Sequence, residues 1–311
     1  MARDLISRYI WIVDTLNRYG HLTRADINRL WMRSALSDGK PMPERTFFHH
    51  RRAIEENFNI DINCDSLGRY YIDDGGSRST KAFTNMLLDS LAVGNTMREG
   101  QVASERIDVE EVPSAREFLA PVAEALRQNE KLVFTYAGFN RSRAEKGIVF
   151  HPYFMKRYKQ RWYMVGLREK SGDIRTYALD RVRELRLLSE PFEMPADLSS
   201  DAIFGNIIGV TSSKAPVRTV RIMATTTQAK YLRALPLHPS QSEELHDDYS
   251  IFTYQLKLNY ELVHELLGYG DAVKVLSPPE LRAMVTTQLT DTLALYGYTC
   301  TRNDDAETFP K

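Results

Sequence analysis

Arg161-Trp162-Tyr163-Met164-Val165-Gly166-Leu167-Arg168, then Ile174-Arg175-Thr176-Tyr177-Ala178-Leu179-Asp180-Arg181-Val182, is the stretch that decides the fold. Aromatic and β-branched residues fill two short runs. Both runs therefore predict strands. Working outward, residues 132–136, 146–152 and 182–188 have the same character, so 131–195 predicts five short strands in sequence. That rhythm implies a small antiparallel β-barrel.

The same region holds most of the charge asymmetry. The 311-residue chain has a formal net charge of zero, with 41 basic and 41 acidic residues. Residues 131–186 nevertheless carry 14 bases against 5 acids, a local excess of nine. A concentrated basic segment calls for an anionic partner.

Upstream, three helical patterns precede a hairpin. Leu5, Tyr9, Ile12, Val13 and Leu16 recur at helical spacing, and Gly20 suits the helix end. Thr23 suits the N-cap of a second helix that carries Ile27, Leu30 and Trp31. The turn formers of residues 37–41 come next. A third helix over 43–57 starts at Pro43 and buries Phe47, Ile54 and Phe58. The strand patterns Asn59-Ile60-Asp61-Ile62 and Arg69-Tyr70-Tyr71-Ile72, joined by Asp65-Ser66-Leu67-Gly68, predict a β-hairpin. Two helices, a turn, a third helix and a hairpin outline a winged helix-turn-helix over 1–76, whose third helix enters a DNA major groove. With its apolar stripe turned inward, that helix presents Arg45, Thr46, His49 and Arg52 outward, with His50 at the border. Arg69 on the hairpin can touch backbone or minor groove.

Residues 77–130 read as a helical linker or dimerisation region in two parts, through Phe83, Met86, Leu87 and Leu91, and through Phe118, Leu119, Val122 and Leu126. A polar connection near 195–215 leads to a third unit, 216–300. There the order strand, helix, strand, helix, strand, helix implies an α+β sandwich, with residues 240–249 as a loop. The fold class is thus α+β in three parts.

Several motifs together resemble the WYL-domain transcriptional regulators. These are Arg161-Trp162-Tyr163-Met164 with Arg175-Thr176-Tyr177-Ala178-Leu179-Asp180-Arg181, the upstream Phe134-Thr135-Tyr136 and His151-Pro152-Tyr153, and Gly268-Tyr269-Gly270-Asp271 with Pro278-Glu280-Leu281, which is similar to that family's C-terminal extension. Met164 replaces the usual leucine of the tripeptide, a mild apolar exchange. The resemblance implies an SH3- or Sm-like barrel that senses a nucleotide-like or single-stranded nucleic-acid ligand. Carried over to this chain, Tyr136, His151, Tyr153, Arg175 and Arg181 are the pocket candidates. Lys156, Arg157, Lys159 and Arg161 form a loop that could hold phosphates. Ala178 stands where many members have a basic residue, so ligand identity does not transfer. Each candidate also has a structural alternative: Trp162 as core, Tyr136 on the face of Phe134, His151 in a local hydrogen bond, Asp180 and Arg181 as an ion pair.

Other classes find little support. There is no P-loop, no Gly-x-Ser-x-Gly, no dinucleotide fingerprint and no His-Glu-x-x-His. His246-Asp247-Asp248 sits in a polar stretch. Cys64 and Cys300 cannot make a disulfide framework or a zinc site alone. No catalytic residue, metal or cofactor is expected. No run approaches the roughly 18 apolar residues of a membrane span, and Met1-Ala2-Arg3-Asp4-Leu5 lacks a signal-peptide core, so a cytoplasmic location is expected. The expectation is a ligand-responsive homodimer on double-stranded operator DNA. A nucleic-acid-processing enzyme and a non-responsive DNA-binding scaffold are the alternatives.

Overall fold

The computed structural model describes residues 2–58, 60–72, 115–139, 142–212 and 215–298, with Met86, Ser90 and Arg106. The end of the expected winged unit, residues 73–76, and the pattern through Phe83, Leu87 and Leu91 lie outside the described residues. The chain divides into two compact units, residues 1–110 and 111–311.

The first unit runs α1 (Ala2–Tyr19), β1 (Leu22–Thr23), α2 (Arg24–Trp31), a 3-10 turn (Ala35–Ser37), α3 (Glu44–Phe58), β2 (Ile62–Cys64) and β3 (Arg69–Ile72). Gly20 ends α1 at φ +72°, a conformation that glycine adopts without Cβ strain. Thr23 caps α2 through a capping box: its hydroxyl accepts from the Asp26 N–H, and the Asp26 carboxylate accepts from the Thr23 N–H. The loop before α3 is held by Asn28, whose Oδ1 accepts from the Met42 N–H at 2.7 Å, and by Arg24, which donates to the Met42 carbonyl at 2.9 Å. Ile12, Val13, Leu16, Ile27, Trp31, Phe47, Ile54 and Ile62 form one buried core. Phe58 only packs against its edge. The hairpin gains a third strand in the order β1-β3-β2, with Leu22 opposite Tyr70. Two residues are too few to show a period of two, so sequence pattern misses β1.

The second unit begins with α4 (Arg116–Gln128). Next come β4 (Glu130–Tyr136), β5 (Glu145–Tyr158), β6 (Arg161–Arg168), β7 (Asp173–Ala178) and β8 (Val182–Pro191). They form an antiparallel sheet of order β7-β6-β5-β4-β8. The expected closed barrel is corrected here: the sheet is open. The 3-10 turn Leu179–Arg181 carries the chain from one edge to the other, and no ladder joins β7 to β8. Helices cover what closure would have hidden. On one face Val122 and Ala125 of α4 pack with Leu132, Phe134, Phe150, Met164 and Tyr177. On the other, Ile203 and Phe204 of α5 (Ser200–Phe204) pack on Val165, Phe154 and Ile174. So α4, which falls in the stretch expected to be a linker, belongs to this core.

The remainder is β9 (Val217–Thr225), α6 (Thr226–Ala234), β10 (Ser242–Leu245), β11 (Tyr249–Lys257), α7 (Tyr260–Leu267), β12 (Val273–Ser277) and α8 (Pro279–Leu295). Its sheet order is β10-β11-β9-β12. Val220, Ile222 and Ala224 alternate into the core with Phe252, Tyr254 and Leu256, facing Leu262, Leu266 and Leu281 from the helices. Residues 240–249 are not all loop. Ser242–Leu245 pairs with β11, Glu244 lying opposite Ile251. All four residues are exposed on an edge strand, so no apolar alternation betrays them.

Candidate functional site

On α3, Arg45, His49 and Arg52 are exposed and share one face at spacings of four and three, with Thr46 half-buried beside them. Phe47, His50 and Ile54 form the opposite, buried stripe. His50 was expected at the border and to contact DNA. It is instead 2% exposed, with its ring 5.2 Å from Tyr9 of α1, edge to face. The α1 helix covers the border, which periodicity within α3 alone cannot reveal. Arg52 donates to Glu56 at 2.8 Å, both side chains well exposed. Such a pair is worth about 0–1 kcal/mol, so a phosphate or base can readily replace Glu56.

Arg69 is held by the hairpin turn. Asp65 accepts from the Arg69 backbone N–H at 2.9 Å, from its Nε at 2.8 Å and from the Leu67 N–H at 3.0 Å. These bonds, the Arg69 backbone bond foremost, lower the Asp65 carboxyl to about 2. Its other neighbour is His21, 3.3 Å away and stacked on Tyr71 at 4.3 Å. Arg69 is thus positioned, and His21, Tyr71 and the exposed Phe48 join this surface without any sequence signal that singled them out.

In the second unit the pocket candidates separate. Tyr136, Arg161 and Arg181 gather round Tyr163. Burial raises the Tyr163 phenol above its ordinary range, and Arg161, Asp180, Arg181 and Tyr136 are its electrostatic neighbours. Tyr136 packs edge-on to Tyr177 at 4.8 Å. The Arg181 guanidinium lies 3.6 Å over the exposed ring of Phe139. Arg161 sits 3.5 Å from Asp180, whose side chain is 10% exposed. Phe139 and Tyr163 were not among the candidates; Tyr163 was legible only as part of the tripeptide. Arg175 is exposed and paired with Asp173 at 3.1 Å.

His151 and Tyr153 belong elsewhere. His151 Nε2 lies 2.9 Å from Glu169, which also takes Lys131, and its ring stacks on Phe192 at 5.2 Å. Tyr153 is 7% exposed, its ring 5.7 Å from that of Phe192, which corrects its placement in a pocket. A β-bulge between Pro152 and Phe154 shifts the register there.

The expected phosphate-holding loop is also divided. Lys159 and Gln160, at φ +43° and +63°, make the tight turn between β5 and β6. Alternation along β5 puts Lys156 on one face and Arg157 on the other, where Arg157 is exposed. Lys156 lies 3.8 Å over the Phe204 ring. Burial lowers its ammonium to about 8, and the charge of Glu261 on α7 opposes the fall. Lys159 pairs with Glu265 of α7 at 3.0 Å. Carboxylates of the C-terminal part thus meet two of the four cations.

Glu261 also fixes the connection between the sheets. Its Oε1 accepts from the Val210 N–H at 3.2 Å, the Thr211 N–H at 2.9 Å and the Thr211 hydroxyl at 2.6 Å. Thr176 of β7 donates to the Val210 carbonyl at 3.0 Å, and Asn259 to that of Ile208 at 2.8 Å. Gly209, at φ +94°, lets the Glu261 side chain pass; an added Cβ would lie 2.5 Å from Glu261 Cγ.

Among the described residues no group of three or more His, Cys, Asp or Glu is placed to hold a metal ion. No described helix is long and apolar enough to cross a membrane.

Residues 117–187 match the WYL domain and residues 216–293 the WCX domain. No curated protein matches the chain. Among solved structures it is similar to the proteasome accessory factor B/C (PafBC) of Arthrobacter aurescens, at 20% identity and a TM-score of 0.37, over 99% of this chain and 50% of that one. It is also similar to a CRISPR Cas-related protein, at 13% identity and a TM-score of 0.39, over 95% of this chain and 85% of that one. The chain therefore spans half the length of the first of these.

Proposed function

We propose that this chain, a WYL-domain protein with a WCX extension, is a DNA-binding transcriptional regulator whose DNA affinity responds to a ligand. The observation that carries the proposal is the outer face of α3. Arg45, His49 and Arg52 stand exposed on a helix anchored by Phe47 and Ile54. The order helix, strand, helix, helix, hairpin supports a winged helix-turn-helix. In that arrangement α3 lies in the major groove, where Arg45, and Arg52 in exchange for its exposed partner Glu56, can bond guanine O6 and N7. Arg69, oriented by Asp65, meets the sugar-phosphate backbone.

Ligand sensing is assigned to the cluster round Tyr163. Arg161 and Arg181 supply fork-shaped cations. Phe139 and Tyr136 supply rings on which a base can stack. This supports a nucleotide-like or single-stranded nucleic-acid ligand. The regulator works in the cytoplasm, without catalysis, as a two-fold dimer on a palindromic operator.

The test is a genomic DNA pull-down with the purified protein at physiological salt, with and without short single-stranded oligonucleotides. A palindromic motif whose recovery changes with the oligonucleotide is the expected result. A motif indifferent to it keeps DNA recognition and rejects the ligand class. No enriched motif rejects the regulator.

A further inference from the structure

The outer face of α3 holds a residue that neither charge nor hydrogen bonding accounts for. Phe47 and Ile54 are buried and Phe58 packs against the core edge, but Phe48 is 41% exposed. It follows Arg45 by three positions and precedes Arg52 by four. At about 100° per residue, its side chain leaves the helix within about 60° of both arginines and about 100° away from Phe47. Phe48 therefore stands among the cations of the outer face and off the core stripe.

Its ring is also held in place. It packs edge-on to Phe47 at 5.7 Å and to Tyr70 of β3 at 6.4 Å. Phe47 is fully buried and Tyr70 is 8% exposed, so the surface behind the ring is packed core. The rest of the ring is presented outward in one orientation. An apolar surface of this kind gains by being covered with another apolar group. Arg45 and Arg52 on either side select an anionic partner. In the major groove of a DNA duplex, the apolar group that a base pair displays is the C5-methyl of thymine.

We propose that Phe48 reads thymine: its ring packs on a C5-methyl in the major groove and makes that base part of each half-site. The proposal rests on α3 as the DNA-reading helix and names the base that the apolar part of its face selects. Phe48 comes four residues after Glu44, which opens α3, within the N-terminal part that meets base edges in helix-turn-helix proteins. Arg45 and Arg52 lie about 4.5 and 6 Å from it along the axis, one to two base-pair steps of about 3.4 Å. A thymine with a guanine one or two steps away is the expected signature.

The experiment uses the full chain and the motif recovered from genomic DNA, synthesised with thymine and with deoxyuridine in its place. Affinity is read by fluorescence anisotropy at fixed salt. Uracil lacks the methyl but keeps the O4 acceptor, so the exchange removes an apolar contact and no hydrogen bond. Wild type is expected to bind about four-fold more weakly for each contacted methyl that is lost. Phe48→Ala is expected to bind both duplexes alike, and Phe48→Leu, still apolar, to retain most of the preference. A Phe48 that only packs would, on truncation, weaken both duplexes equally and leave the preference intact; that result overturns the proposal. So does a wild type indifferent to the exchange, or a motif without thymine. Circular dichroism verifies folding, and Phe48→Gln replaces an alanine variant that does not fold, with the same loss of preference expected. A specific motif whose thymine methyls go unread rejects the role of Phe48 alone, whereas no motif at all rejects DNA reading by α3 and this role with it.

Discussion

Replacing Glu261 with alanine tests how the connection between the two sheets of the second unit is held. Three donors converge on one oxygen, Oε1: the N–H groups of Val210 and Thr211 and the Thr211 hydroxyl. Hydrogen bonds to a charged acceptor contribute about 1.5–3 kcal/mol each, and a stranded buried donor costs about 1–3 kcal/mol. Thr211 is exposed, so water can take over part of its bonding. The Val210 N–H is less accessible. A loss of about 2–4 kcal/mol is therefore expected for Glu261→Ala, read as a lower urea midpoint with unchanged slope. Glu261→Gln is the informative partner. Its amide oxygen can keep all three donors, and its NH2 takes the place of Oε2, which is buried and finds no partner among the described residues. The glutamine keeps the convergence but loses the charge, so it should fall between wild type and the alanine variant. Two results would refute this reasoning: an alanine variant as stable as wild type, or a glutamine variant as unstable as the alanine. The second would mean that charge, not the convergence on Oε1, sustains the joint.

Lys156 falls to about 8 on folding from an ordinary 10.5, so between those values the unfolded chain binds more protons and stability rises with pH. The destabilisation is fully present below about 8. The melting temperature of wild type relative to Lys156→Met should accordingly climb from pH 7.5 to 10, and a gap that ignores pH refutes the burial argument. Arg45→Ala with Arg52→Ala should lower operator affinity by about 100-fold, at roughly 1–3 kcal/mol per lost base contact, with circular dichroism unchanged; an unaltered gel shift moves recognition off α3. Arg161→Ala with Arg181→Ala should abolish the oligonucleotide response in the same assay yet leave basal DNA binding intact, and a retained response moves the ligand away from Tyr163. Gly166→Ala should prevent accumulation of soluble protein, because its Cβ would lie 1.9 Å from the His151 carbonyl oxygen, on a backbone that cannot yield; normal expression with a wild-type melting temperature contradicts that packing.

By itself the sequence determined what depends on neighbours in the chain. Thr23 before Asp26 specified a helix start, and Tyr163 to Leu167 against Ile174 to Ala178 specified a strand pair. The outer face of α3 was legible for the same reason, since helical period separates Arg45, His49 and Arg52 from Phe47 and Ile54. Tertiary structure alone decided the rest, because it depends on groups remote in sequence. His50 is buried because α1 lies over it. The five strands remain an open sheet because α4 and α5 cover its two faces. The cations most visible in the sequence, Lys156 and Lys159, do not form one phosphate loop, because strand alternation parts Lys156 from Arg157 and α7 brings Glu261 and Glu265 against them. Charge can be counted residue by residue, but whether a cation is available depends on burial and on carboxylates about a hundred positions away, and only the folded chain sets those distances.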